Sequence, residues 1–107
     1  MHPQAKFYQS DFIMDIYKVS GKNTKHKVFV YALSTCVWCK MTKQFLKDND
    51  VEYEYVNVDL AKEEEKDKIR KHITGKGGTL SYPTTIIDDK TVITGFRKDL
   101  LKKELEL

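Results

Sequence analysis

The segment Lys27-Val-Phe-Val-Tyr-Ala-Leu33 is nearly all apolar or β-favouring, and it stops at Ser34-Thr35. A run of that kind fits a central strand covered on both faces of a sheet. Beyond it Val37, Trp38, Met41, Thr42, Phe45 and Leu46 recur at helical spacing, until Asp48-Asn49-Asp50 supplies turn chemistry. Strand therefore gives way to helix at one place, and both cysteines of the chain, Cys36 and Cys39, fall there.

The rest of the chain continues the pattern. Val51, Tyr53 and Tyr55 alternate with Glu52 and Glu54, which predicts a strand over 51–58. Asp59 is placed to cap a helix over 61–73, with Glu64–Lys68 and Asp67–Lys71 as i,i+4 ion pairs and Leu60, Ile69 and Ile73 as its buried side. Gly75, Gly77 and Gly78 open a loop that ends at Ser81-Tyr82-Pro83. Two short strands over 84–87 and 90–95 flank Asp88-Asp89 as a hairpin, and Leu100, Leu101 and Leu105 mark the apolar face of a last helix. The order β-α-β-α-β-β-α implies an α/β fold with a mixed sheet of about four strands flanked by helices, because the right-handed crossover makes the first strand pair parallel.

Residues 1–26 precede this unit. Phe7, Tyr8, Phe12, Ile13, Met14, Ile16, Tyr17 and Val19 are too many apolar groups for a solvated tail. Residues 13–19 are read as an additional edge strand ahead of the turn Gly21-Lys22-Asn23, with an amphipathic dimerisation segment as the rival. The division is thus an extension over 1–26 and a domain over 27–107.

A chain of 107 residues is long enough to bury a core without a disulfide framework or a structural metal. A bridge between Cys36 and Cys39 would close almost no loop, so chemistry explains the pair better than stability does. Nineteen Lys and Arg stand against sixteen Asp and Glu, a net charge of +3 with the signs interspersed, so nucleic acid is not indicated. No run approaches the ~18 apolar residues of a membrane helix, no secretory signal opens the chain, and free thiols suit a reducing compartment; a cytoplasmic protein without membrane contact is expected.

At a helix N-terminus, unpaired N–H groups and the helix dipole favour the thiolate of Cys36, while Cys39 lies almost a turn deeper. Cys36 is accordingly read as the nucleophile that attacks a disulfide, and Cys39 as the resolving thiol. Lys40 and Lys43 add positive charge that either assists the thiolate or merely solvates the helix. A zinc site is disfavoured because His2, His26 and His72 show no ligand spacing with the cysteines, so neither metal nor cofactor is expected. Val37 and Trp38 are either rim residues or contacts for a docked partner. The Gly-x-Gly-Gly at 75–78 lacks the strand and the Lys-Ser or Lys-Thr of a phosphate loop.

This order of elements, Cys36-Val37-Trp38-Cys39 after the strand, Tyr82-Pro83 before the next one and Thr94-Gly95-Phe96 after the hairpin together resemble the glutaredoxin branch of the thioredoxin fold, over roughly 27–107. The resemblance implies a three-layer fold, a cis Pro83 facing the dithiol, and a substrate site made by Val37, Trp38, Tyr82, Pro83, Gly95 and Phe96, with the Tyr82 backbone bonding an extended substrate strand. Glutathione-using members carry a basic residue three positions before the first cysteine and an acidic pair after a Gly-Gly. Here those positions hold Leu33, and Arg97 with Lys98, which disfavours glutathione. Thr94-Gly95-Phe96-Arg97-Lys98-Asp99 is instead similar to the Ser-Gly-Phe-Arg-Pro-Asp stretch of the redoxins that serve ribonucleotide reductase. The implied function is reduction of protein disulfides, ribonucleotide reductase among them, with recharging by a disulfide reductase. A glutathione-dependent glutaredoxin and an iron–sulfur carrier sharing a cluster between two Cys36 residues are the alternatives.

Overall fold

The computed structural model describes residues 15–107, so expectations for residues 1–14, including the first part of the 13–19 strand and His2, lie outside the described residues. The elements run β1 (Ile16–Val19), β2 (Val28–Ala32), α1 (Val37–Asp48), β3 (Tyr53–Asn57), a 3-10 turn (Val58–Leu60), α2 (Glu63–Gly75), β4 (Thr84–Ile87), β5 (Thr91–Thr94) and α3 (Lys98–Leu105). They form one five-stranded sheet in the order β1-β3-β2-β4-β5. β2 and β3 are parallel, with Tyr31 opposite Val56, whereas the β1–β3, β2–β4 and β4–β5 pairs are antiparallel.

The apolar run of β2 is explained by its central place. Val28, Val30 and Ala32 enter a core with Cys39, Phe45, Leu46, Leu101 and Leu105, while Tyr31 enters a second core with Ile69 and Ile73. Successive side chains of a strand point to opposite faces, and here helices cover both: α1 and α3 on one side, α2 on the other. β1 is the additional edge strand expected from the sequence, with Ile16 opposite Val56. Its turn draws the chain close to the end of α1, where a Cβ on Gly21 would stand 2.5 Å from the Asp50 carbonyl oxygen. Only glycine fits that approach. The hairpin turns through left-handed φ at both Asp88 and Asp89, a region that Asp tolerates better than most residues.

The α2 region departs from the sequence expectation in several ways. Asp59 does not cap α2. The N-cap is Lys62, whose backbone N–H donates to Glu65 Oε1 at 2.9 Å, so the cap bond is made from inside the first turn. Leu60, expected inside, is 68% exposed because the 3-10 turn lifts it off the sheet, and Glu65 is buried in its place at 2%. The ion pairs formed on this helix include Glu63–Lys66 and Asp67–Arg70, both at i,i+3 spacing.

Candidate functional site

The site lies at the carboxyl end of β2, where the loop Leu33–Thr35 hands the chain to α1. Cys36 is the N-cap of that helix, with extended backbone angles, and its Sγ accepts the Cys39 N–H at 3.1 Å. The Cys36 carbonyl accepts the Lys40 N–H at 3.1 Å, so the first turn is closed around the first cysteine. Both thiols are free; Cys36 is half-buried and Cys39 fully buried. The Leu33 N–H donates to Cys39 Sγ at 3.4 Å. Burial, followed by the hydrogen bond with Cys36, pushes the Cys39 thiol up to about 12, against the opposing influence of the Leu33 N–H and the Lys43 charge. The two sulfurs are therefore unlike: one is at the rim and accepts a helix N–H, the other is sealed in the core.

The opposite wall is the segment before β4. The Tyr82–Pro83 bond is cis, and the Tyr82 carbonyl oxygen lies 4.0 Å from Cys36 Sγ. The Pro83 carbonyl accepts the Gly95 N–H at 2.7 Å, and Gly95 sits at φ +81°, where a glycine is favoured. Thr84 Oγ1 donates to the Ser81 carbonyl at 2.6 Å, which ties the other side of the turn. Phe96 packs beside Phe45 with ring centroids 6.3 Å apart, on the same core that Cys36 and Tyr82 border. Cys36, Cys39, Tyr82, Pro83, Gly95 and Phe96 are thus brought into one region from three separate stretches of chain. Val37 and Trp38 stand outside it, 64% and 58% exposed, on the solvent side of the first turn of α1. Trp38 is therefore not a core residue.

Two further contacts at this site were not read from the sequence. Asp59 takes the Ser34 N–H at 2.9 Å and the Ser34 hydroxyl at 2.5 Å, which fastens the loop before Cys36 to the end of β3. The hydrogen bond from the Ser34 side chain is the main cause that holds the Asp59 carboxyl below its ordinary value. Lys43 places its Nζ 3.8 Å from the centroid of the Tyr55 ring. Neither pair has a local signal: Ser34 and Asp59 are 25 residues apart and meet only because β2 and β3 are parallel neighbours. The exchange of roles at Asp59 leaves the capping of α2 to Glu65.

Arg97 and Lys98 open α3, and Arg97 Nη2 lies 3.3 Å from Asp99. His26 is bonded to Asp88 and Glu106 at the other end of β2, and His72 lies against Tyr31 on the α2 face, so neither stands with the cysteines. Among the described residues no group of three or more His, Cys, Asp and Glu side chains is arranged to hold a metal ion, and no helix is long and apolar enough to cross a membrane.

Comparison with known proteins gives a consistent picture. The glutaredoxin family model matches residues 28–92. The glutaredoxin of Methanosarcina mazei Go1 is 38% identical and superposes with a TM-score of 0.78, over 86% of this chain and 88% of that one. Methanoredoxin of Methanosarcina acetivorans is 44% identical, with a TM-score of 0.70 over 76% and 85% of the two chains. The glutaredoxin-like NrdH-redoxin of Escherichia coli, a protein with a thioredoxin-like activity profile, is 26% identical, with a TM-score of 0.58 over 72% and 92%.

Proposed function

Because the chain belongs to the glutaredoxin family and is a thiol–disulfide oxidoreductase of the thioredoxin fold, we propose that Cys36 is its nucleophile, Cys39 its resolving thiol, and a reductase rather than glutathione its electron donor. The observation that carries the assignment is the inequality of the two sulfurs. Cys36 borders solvent and accepts a helix N–H, whereas Cys39 has no exposed surface. A substrate disulfide can therefore reach the first sulfur and not the second.

The exchange follows from that arrangement. The Cys36 thiolate attacks one sulfur of a protein disulfide, and the substrate's other sulfur leaves with the electron pair. Cys39 then attacks Cys36 Sγ from inside the turn; the new Cys36–Cys39 bond forms, the mixed disulfide breaks, and the substrate departs as a dithiol. The substrate's chain lies along the wall made by Tyr82, Pro83, Gly95 and Phe96, with main-chain bonding to Tyr82 fixing its register. Val37 and Trp38, apolar and exposed, cover its far side.

The choice of donor rests on charge. Leu33 supplies no cation for a glutathione carboxylate, and Arg97 and Lys98 at the start of α3 set positive charge where an α-ammonium group would need an anion. The likeness to NrdH-redoxin, with its thioredoxin-like activity profile, supports the same reading. A disulfide of ribonucleotide reductase is accordingly the first protein substrate to offer. The test sets reduction of the oxidised protein by glutathione with glutathione reductase beside reduction by thioredoxin reductase, in the wild type and in Cys36→Ser. Turnover with thioredoxin reductase alone, lost in Cys36→Ser, is expected. Rapid turnover with glutathione would overturn the donor assignment, and turnover that survived Cys36→Ser would overturn the nucleophile.

A further inference from the structure

Resolution poses a problem that the dithiol does not solve by itself. Cys39 must become a thiolate in a place with no exposed surface, where burial holds it as the thiol. Once Cys36 is tied up in the mixed disulfide, its sulfur carries no charge and its N-cap bond is that of a disulfide sulfur. Two influences that favour an anionic Cys39 then remain, the Leu33 N–H at 3.4 Å and the charge of Lys43.

Lys43 is placed for this. It follows Cys39 by four residues on α1 and therefore shares its helix face. Its ammonium is partly withdrawn from water and rests 3.8 Å from the centroid of the Tyr55 ring, and Tyr55 borders the core that contains Cys39. A cation over an aromatic face keeps its charge where a bare apolar wall would expel it. The titratable and charged groups that bear on this pair are Cys36 and Lys40 on its own helix and loop, Tyr53 and Tyr55 on β3, and Tyr82 before β4.

We propose that Lys43 is a positioning residue for resolution: its ammonium, seated over the Tyr55 ring one helical turn beyond Cys39, steadies negative charge on the Cys39 sulfur as that sulfur attacks Cys36. The step balances without any further reactant. Cys39 loses its proton to solvent, the Cys36–Cys39 bond forms as the mixed disulfide breaks, and the substrate sulfur leaves with the electron pair and takes up a proton from solvent to end as a thiol. Lys40, the residue next to Cys39 and about 100° around the helix from it, does not share this face, so the two lysines that looked alike in the sequence have different work. The proposal rests on the Cys36–Cys39 assignment above.

Reaction of the reduced protein with excess dipyridyl disulfide separates the two steps in a stopped-flow trace. The first thiopyridone released reports attack by Cys36 and rises in rate with probe concentration; the second reports resolution by Cys39 and does not. In Lys43→Met the second phase is expected to slow by about three- to tenfold near neutral pH, with its pH profile displaced upward, since lost thiolate is partly offset by higher nucleophilicity. Lys43→Arg, which keeps a cation able to stack on the ring, should restore both rate and profile. Tyr55→Leu, which removes the platform, should resemble Lys43→Met and serves in its place if that variant does not fold. An unchanged second phase in Lys43→Met, or equal slowing in Lys43→Arg, overturns the proposal. A missing first phase in the wild type would instead defeat the dithiol assignment itself.

Discussion

The two ends of β2 treat polar groups in opposite ways. At its carboxyl end the fold withdraws reactive groups from water: Cys39 is sealed in the core, and behind it, level with the middle of β2, Lys43 rests against Tyr55. At its amino end charge is left at the surface and paired. His26 Nδ1 lies 2.6 Å from Asp88 and its Nε2 3.2 Å from Glu106, which also meets Lys25 at 3.1 Å. Exposed pairs of this kind contribute little, because water already solvates both charges well. Buried ones change what a group can do, because the charged form must be sustained by the few dipoles and charges that remain. The sheet thus carries a reactive end and a fastened end, and the difference is one of solvation rather than of residue type.

The largest effect that would break this comparison is at Cys36. Cys36→Ser should abolish disulfide turnover while leaving the thermal midpoint nearly unchanged, because the side chain is only half-buried and serine is a good N-cap; a calorimetric scan beside a turnover assay checks both. Next is Cys39→Ser, which should still attack a substrate disulfide through Cys36 but should hold its substrate as a persistent mixed disulfide, visible as a mass adduct removed by a strong reductant. Loss of the adduct at the wild-type rate would show that resolution does not need Cys39.

A smaller effect is expected at the loop before the site. Asp59→Ala removes both bonds to Ser34, and since the contact is exposed it should cost under about 1 kcal/mol of stability, with a fall in turnover of no more than about fivefold. The carboxyl is held below its ordinary value, so its contribution is present above the unfolded pKa and fades as pH falls through the folded one. A denaturant series toward acid pH should show that loss in the wild type and not in the variant.

The smallest effect belongs to the fastened end. The bond to Asp88, then that to Glu106, raises His26 above its ordinary 6.5, so the imidazolium is favoured in the folded protein. Its contribution is complete below the unfolded value and is lost as pH rises through the folded one. His26→Gln should therefore lower stability by under about 1 kcal/mol below about pH 6.5 and converge with the wild type at higher pH, with no change in disulfide turnover at either. A change in turnover would mean that the two ends are coupled.

How much of this was legible in the sequence depended on how local each feature is. The β2 run, the helical spacing after it and Cys36 at the junction are properties of neighbouring residues, and the strand–helix boundary follows from them without knowledge of the rest. The edge strand at Ile16–Val19 was legible only in part: its apolar residues called for burial, which an edge strand or a dimerisation segment could each supply, and pairing with β3 decides for the strand. The hairpin at Asp88-Asp89 was read from turn chemistry that belongs to those two residues.

What only the tertiary structure decided are the contacts whose partners come from elsewhere in the chain. Asp59 reads as a helix cap because Asp before a helix usually is one, yet parallel pairing of β2 with β3 puts Ser34 within its reach, and Glu65 takes over the cap from inside α2. Leu60 reads as buried from its apolar side chain, yet the 3-10 turn aims it at solvent. Lys40 and Lys43 are indistinguishable as letters, and only the position of Tyr55 across the sheet gives one of them a seat. Periodicity specifies which face of an element is apolar. Which polar group that face then meets is set by packing between elements, and at this site those meetings govern the solvation of the two sulfurs.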